Sequence, residues 1–334
     1  LYAKIAVMLR ILIIKTSSMG DVIHNLPIIH DIRSSIGDVT IDWVVEEHFQ
    51  DIPRMHPQVD RVIPVAIRRW RKQLLRKSTW QEMAEFQRQL TAQTYDVILD
   101  TQGLLKSALI GLLAKGTRHG QDRQSAREPL AACTYQNSYH IPRHQHAVER
   151  NRQLAAQALG YKLKSISLDY GLSGQVLTEP HAKDILKAPY VVGLHATSRD
   201  SKLWPIEYWI ALGHLLSSQS IQLLLPWGSH AEQHRASLIA AAVQDASVLP
   251  RLRLTQLAAI LSGASAAVGV DTGLMHLATA VKCPSIAIYT DTDPALTGLH
   301  AASEGHAINL GGKNQVTSPE VVWTQIMQFL PPTN

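Results

Sequence analysis

Small hydroxyl residues, a glycine and then an acid follow the first apolar run of the chain, as Lys15-Thr16-Ser17-Ser18-Met19-Gly20-Asp21. This composition suits a strand-to-helix turn and puts Asp21 near a helix N-terminus at the carboxyl edge of a sheet. A carboxylate there can act as a general base, or it can be a first-turn acid stabilised by the helix dipole. A second such turn, Asp271-Thr272-Gly273, lies between AAVGV and LMHLATAV. Unpaired amides at a helix start favour anions, so Thr272 and Gly273 suit phosphate. Asp271 can serve there as N-cap, a role compatible with binding. After a third apolar run, His195-Ala196-Thr197-Ser198-Arg199-Asp200-Ser201-Lys202 offers hydroxyls and two cations. That set fits either a diphosphate leaving group or a solvated loop. Glu232, shortly after Pro226-Trp227-Gly228, can hold ribose hydroxyls; alone it reads as a surface helix residue.

Residues 61–79 contain Arg61, Arg68, Arg69, Arg71, Lys72, Arg76 and Lys77 and no acid. The 334-residue chain has 32 Lys+Arg against 27 Asp+Glu, a net charge of +5, so this one run exceeds the whole surplus. Like charges repel unless an anionic partner visits. Only Trp70 and Trp80 interleave the run, and no RRM, KH or helix-turn-helix pattern accompanies it, so no specific nucleic acid is expected. A phosphorylated lipid headgroup at a membrane surface fits better. Arg118, Arg123 and Arg127 form a second basic group that can join it.

Other chemistries are excluded. The chain has no GxGxxG after its first strand, no GxxxxGK[ST] and no GxSxG, which argues against a dinucleotide dehydrogenase, a P-loop NTPase and an α/β-hydrolase. Cys133 and Cys283 are too far apart for a CxxC motif and too few for a disulfide scaffold. His140, His144 and His146 lack Cys or carboxylate partners at zinc-ligand spacing and read as loop histidines. No apolar stretch approaches the roughly 18 residues needed to span a bilayer. Residues 1–8 lack a signal-peptide cleavage pattern, so a cytoplasmic protein is expected.

These turns need elements to position them. Residues 10–15, 39–45, 61–65 and 96–100 read as strands, with helices over 22–35, 81–93 and 104–115. The rhythm restarts with strands over 190–195, 221–225, 266–270 and 284–289. Helices are expected between and after them, over 206–217, 231–243, 256–261 and 274–281. Such alternation predicts an α/β protein of two doubly wound Rossmann-like domains facing a central cleft. The expected division is a first domain over 1–165, a linker over 166–189 and a second domain over 190–317. A closing helix within 318–334 is expected to pack back on the first domain.

The segments KTSSMGDVIHNLP, DWVVEEHF, RVIPVAIRRWRK, DTQGLLKSAL, SAREPLA, HATSRDSKLWP, LPWGSHAEQHR and VGVDTGLMHLATA with TDTDP resemble, together, the lipopolysaccharide heptosyltransferase I family. The resemblance runs over residues 9–312, and IRRWRK and SAREPLA separate it from heptosyltransferase II. It implies a GT-B fold and inverting transfer of L-glycero-D-manno-heptose from ADP-heptose to the first Kdo of Kdo2-lipid A. It further implies a cytoplasmic protein peripherally associated with the inner membrane. On the matching positions, Asp21 would be the base toward the Kdo 5-hydroxyl and Lys202 would stabilise the departing diphosphate. Thr197, Ser198, Thr272 and Gly273 would hold phosphate oxygens, Glu232 the ribose, and Asp271 and His276 would complete the donor motif. Ser18, Gly20, Arg68, Arg69, Arg71, Lys72, Gln102 and Arg127 would meet the acceptor. Ser198 and Ser201 stand where the family carries Thr and Asp. No metal or other cofactor is expected, since Lys202 and a helix N-terminus can do a metal's work. The alternatives are a heptosyltransferase II-type acceptor and a nucleotide-sugar-binding protein without catalysis.

Overall fold

The computed structural model describes residues 8–163, 167–172 and 189–330. The chain divides into two units, Leu1–Ser167 and Leu168–Asn334.

The first unit is built on strands β1 (Leu9–Ile14), β2 (Val39–Glu46), β3 (Arg61–Val65), β4 (Thr94–Asp100), β5 (Lys115–Gln121) and β6 (Asn137–Tyr139). They form one parallel sheet in the order β3-β2-β1-β4-β5-β6. Ile11, Leu12, Ile13 and Ile14 are fully buried, the unbroken apolar run of a strand covered on both faces. Helices α1 (Met19–Ile23), α2 (Pro27–Ile36), α3 (Asp51–Arg54), α4 (Ile67–Trp70), α5 (Lys77–Thr91), α6 (Leu105–Leu113) and α7 (Ala147–Leu159) connect or cover the strands. Phe86 and Leu90 of α5 and Ile110 of α6 share one core with Leu12, Ile14 and Ile98, so these two helices cover the same sheet face.

The second unit repeats the plan with β7 (Tyr190–Leu194), β8 (Gln222–Leu225), β9 (Ala246–Val248), β10 (Ala266–Val270), β11 (Ser285–Tyr289) and β12 (Ala307–Gly311). Its parallel order is β12-β11-β10-β7-β8-β9. The helices are α8 (Ile206–Ser217), α9 (His230–Ala242), α10 (Leu254–Ser262), α11 (Gly273–Ala280) and α12 (Pro319–Ile326). Trp204 and Trp209 meet edge to face at 5.1 Å in the core.

Both sheets reverse their winding direction at one strand pair, β1/β4 in the first unit and β7/β10 in the second. Open α/β sheets bind ligands beyond the carboxyl ends of strands at such a switch point. The turns 15–21, 101–104, 195–202 and 271–273 all lie there.

Several expectations are corrected. The single helix expected over 22–35 is two, because Pro27 has no N–H to donate to the carbonyl of Ile23. The helix expected over 104–115 stops at Leu113, and Lys115 already opens β5. Strands β5, β6, β9 and β12 and helix α7 were not expected. The closing helix packs on the second unit instead of the first: Val322 and Ile326 of α12 lie in its core beside Leu212 and Ile288. Most of the linker expected over 166–189 lies outside the described residues.

Candidate active site

In the first unit the site grows from the β1/β4 switch. After β4, the Gln102 side chain reaches across to the turn after β1, where its Oε1 accepts the amides of Thr16 at 3.0 Å and Ser17 at 3.1 Å. Gln102, expected to touch the acceptor, thus has its carbonyl committed to shaping the loop. Asp100 anchors this arrangement from beneath, accepting the amides of Gln102 at 2.9 Å and Gly103 at 3.2 Å and the Tyr135 hydroxyl at 2.8 Å. Burial pushes the Asp100 carboxyl up, and these hydrogen bonds pull it back.

Ser18 is the N-cap of α1, and Gly20 lies in its first turn. The Ser18 amide and hydroxyl donate to Oδ2 of Asp21 at 2.8 and 2.9 Å. Asp21 is therefore both the capping acid and the candidate base. Its Oδ1 takes no hydrogen bond from any described residue and can receive a proton. Below it, the buried Lys15 donates to the Thr101 carbonyl at 2.9 Å. Burial lowers the Lys15 ammonium, and the nearby Asp21 and Asp100 raise it in part.

The basic run is less uniform than its sequence. Arg61 pairs with Asp42 at 2.7 Å. Arg69 is clamped between Glu47 at 3.0 Å and Glu82 at 2.8 Å, and the hydrogen bonds it donates to both carboxylates raise its pKa further. Its guanidinium is thus held by two carboxylates of this chain. Arg71 and Lys72 are exposed and form no ion pair among the described residues. Arg68 is exposed, with its guanidinium over the Phe49 ring at 5.6 Å.

Lys106, not singled out from sequence, reaches the turn after β1. Its Nζ donates to the Ser17 hydroxyl at 3.0 Å. Burial lowers its pKa, Glu46 raises it, and Arg68 and Arg127 lower it again, so these cations share one neighbourhood. Gly103 makes this possible. At φ 63° it turns through the left-handed region, and its carbonyl takes the Glu128 amide at 3.0 Å, drawing the Arg127 segment in. Arg71→Ala or Lys72→Ala is expected to raise KM for the acceptor that the resemblance implies about fivefold, whereas Arg69→Ala leaves it within twofold of wild type, since partly exposed pairs of this kind contribute little. Initial-rate kinetics with varied acceptor separates the two classes.

In the second unit Asp271 is the organiser. Its Oδ2 accepts Lys202 Nζ at 2.5 Å and the Thr292 hydroxyl at 2.7 Å, while its backbone carbonyl accepts the Thr197 hydroxyl at 2.8 Å. The N-cap of α11 is Thr272, not Asp271. Gly273 opens that helix, and His276 is buried one turn in. Ser198 is exposed on the same loop as Thr197. Ser201 donates to Asp291 at 2.7 Å. Thr292 and Asp291 were not singled out as site residues, although both lie in the TDTDP segment.

Glu232 forms a capping box with Ser229. Its Oε2 accepts the amides of Gly228 at 2.7 Å and Ser229 at 3.2 Å, leaving Oε1 for a ligand. Among the described residues no three His, Cys, Asp or Glu side chains gather as a metal site. Among them, too, no helix is long and apolar enough to cross a membrane.

Residues 83–328 match glycosyltransferase family 9 (heptosyltransferase). The chain is 44% identical over 315 residues to lipopolysaccharide heptosyltransferase 1 of Salmonella typhimurium, covering 93% of this chain and 95% of that protein. Its fold is similar to that of E. coli heptosyltransferase WaaC with ADP, at TM-score 0.88 and 42% identity, covering 96% of this chain and all of that one (100%). The same protein with ADP-2-deoxy-2-fluoro heptose matches at TM-score 0.86 and 42% identity, covering 96% and 99% of the two chains. The two doubly wound sheets are those of the GT-B fold.

Proposed function

The chain belongs to glycosyltransferase family 9, the heptosyltransferases, and from this premise we propose the step it catalyses and the residues that carry it. It is a glycosyltransferase that moves heptose from ADP-heptose in lipopolysaccharide inner-core synthesis. The sugar is L-glycero-D-manno-heptose and the acceptor is the first Kdo of Kdo2-lipid A, met at the cytoplasmic face of the inner membrane by a peripheral protein. A heptosyltransferase II-type acceptor is disfavoured by the 44% identity to a type 1 enzyme. Mere nucleotide-sugar binding is disfavoured by a complete set of base and leaving-group residues.

The observation that supports this best is Lys202, held by Asp271 beside the amides that open α11, which take no side-chain cap among the described residues. A cation and a helix N-terminus at a sheet's switch point form an electrostatic receptor for a diphosphate. In the reaction, the Kdo 5-hydroxyl oxygen attacks C1 of the heptose and its proton passes to Oδ1 of Asp21. The bond from C1 to the diphosphate oxygen breaks, its electron pair leaving with ADP. Lys202 meets the charge growing on that oxygen, with Thr197, Ser198, Thr272 and Gly273 on the remaining phosphate oxygens. Glu232 takes the ribose through Oε1. Arg68, Arg71, Lys72 and Arg127, joined by Lys106, face the acceptor's carboxylates and phosphates. The charge on the leaving group is met by this chain's own groups, so a divalent metal is not required.

Purified protein given ADP-heptose and deacylated Kdo2-lipid A is expected to release ADP only when both are present, at a rate unchanged by EDTA. Absence of acceptor-dependent release overturns the reaction, and loss of release on chelation overturns metal independence.

A further inference from the structure

We infer that the turn between α4 and α5 is an apolar tip that inserts into an anionic phospholipid monolayer, a proposal that rests on the acceptor being a membrane lipid. Leu75 at this turn is wholly exposed, at 103%, and Leu74 and Trp80 beside it are 49% and 58% exposed. Single surface leucines are ordinary, but two leucines and a neighbouring tryptophan exposed together mark an interaction site.

The turn is rigid. Gln73 O accepts the Arg76 amide at 3.0 Å and the Thr79 hydroxyl at 2.8 Å, and Leu74 O accepts Trp80 Nε1 at 2.8 Å. These bonds fix the backbone that carries the leucines, so less of it remains to be ordered on binding. With its N–H satisfied internally, the Trp80 ring can enter the headgroup boundary, where tryptophan is favoured.

Charge selects the occupant. Arg71 and Lys72 precede the leucines, Arg76 and Lys77 follow them, and no described residue forms an ion pair with any of the four. Cations around an apolar tip match anionic headgroups over acyl chains. A nucleic acid would engage the cations and leave the leucines in water. The same sheet face carries a second apolar exposure, since α6 turns Leu109, Leu112 and Leu113 to solvent at 60%, 46% and 48%. Their spacing of three and four residues places them on one stripe. A bilayer meeting the α5 and α6 side of the first unit would cover both exposures.

The test is sedimentation of the full chain with vesicles of phosphatidylethanolamine and phosphatidylglycerol lacking any acceptor. Leu74→Ser with Leu75→Ser is expected to lower partitioning by about tenfold or more, while transfer to deacylated acceptor in solution keeps its wild-type rate. As a second readout, Leu75→Cys in a Cys133→Ser background, carrying an environment-sensitive fluorophore, shifts its emission to the blue on vesicles. The inference is overturned if wild type does not bind vesicles, if the leucine variant binds as wild type does, or if the emission does not move. Failure of the enzymatic reading is seen separately, as absence of transfer to the deacylated acceptor by wild type.

Discussion

Asp21→Asn leaves the fold intact and removes transfer: the expected loss in kcat is about a thousandfold, with ADP-heptose affinity near that of wild type. The substitution is chosen because Asp21 has two jobs in one side chain. Its Oδ2 caps α1 by accepting the Ser18 amide and hydroxyl, and its Oδ1 is open. Asparagine retains an acceptor for the cap and cannot take a proton at the working pH. Asp21→Ala removes both, adding a cap loss of about 1 kcal/mol. Comparing the two variants by thermal melting, donor calorimetry and ADP release separates the base from the cap. An Asp21→Asn enzyme with near-normal turnover would exclude the carboxylate as base.

Lys202→Ala is the second large effect, with an expected fall in kcat of about a hundredfold or more. The reason goes beyond loss of a cation. Lys202 pairs with Asp271, which also holds Thr292 and, through its carbonyl, Thr197. Removing the ammonium leaves the Asp271 carboxylate unopposed where a diphosphate must sit, so ADP affinity should fall as well. Adding Asp271→Asn to Lys202→Ala should restore part of the ADP affinity without restoring the rate. Recovery of turnover in the double variant would show that Lys202 acts only by neutralising Asp271, and an unchanged rate in the single variant would refute its role at the leaving group.

The central strands were legible because burial on both faces forces continuous apolar runs such as Ile11 to Ile14. The turns that follow them were legible because phosphate-binding and helix-starting loops need small, hydroxyl and glycine residues. The outer strands were not: β5 reads KGTRHGQ, and β6 and β9 have only three residues each. Such strands carry little apolar signal. Pairings between distant segments were also hidden. Nothing local announces that Glu47 and Glu82 close on Arg69, or that Asp271 grips Lys202 rather than capping α11. The acid-free run 61–79 suggested seven unpaired cations, yet the sheet brings Asp42 to Arg61 from a neighbouring strand. The destination of α12 was equally nonlocal, since an amphipathic helix specifies that it packs but not on which core.

The Lys202–Asp271 pair has a consequence for what can occupy the donor site in a cell rich in anions. An entering ligand competes with an intramolecular carboxylate rather than with water. Inorganic phosphate or a monophosphate, with a single charge centre, gains little by displacing Asp271. A diphosphate can engage Lys202 with one phosphoryl group and the opening amides of α11 with the other, so only it recovers the cost of breaking the pair. On the proposed reading, the pair thereby favours ligands with two phosphoryl groups over those with one.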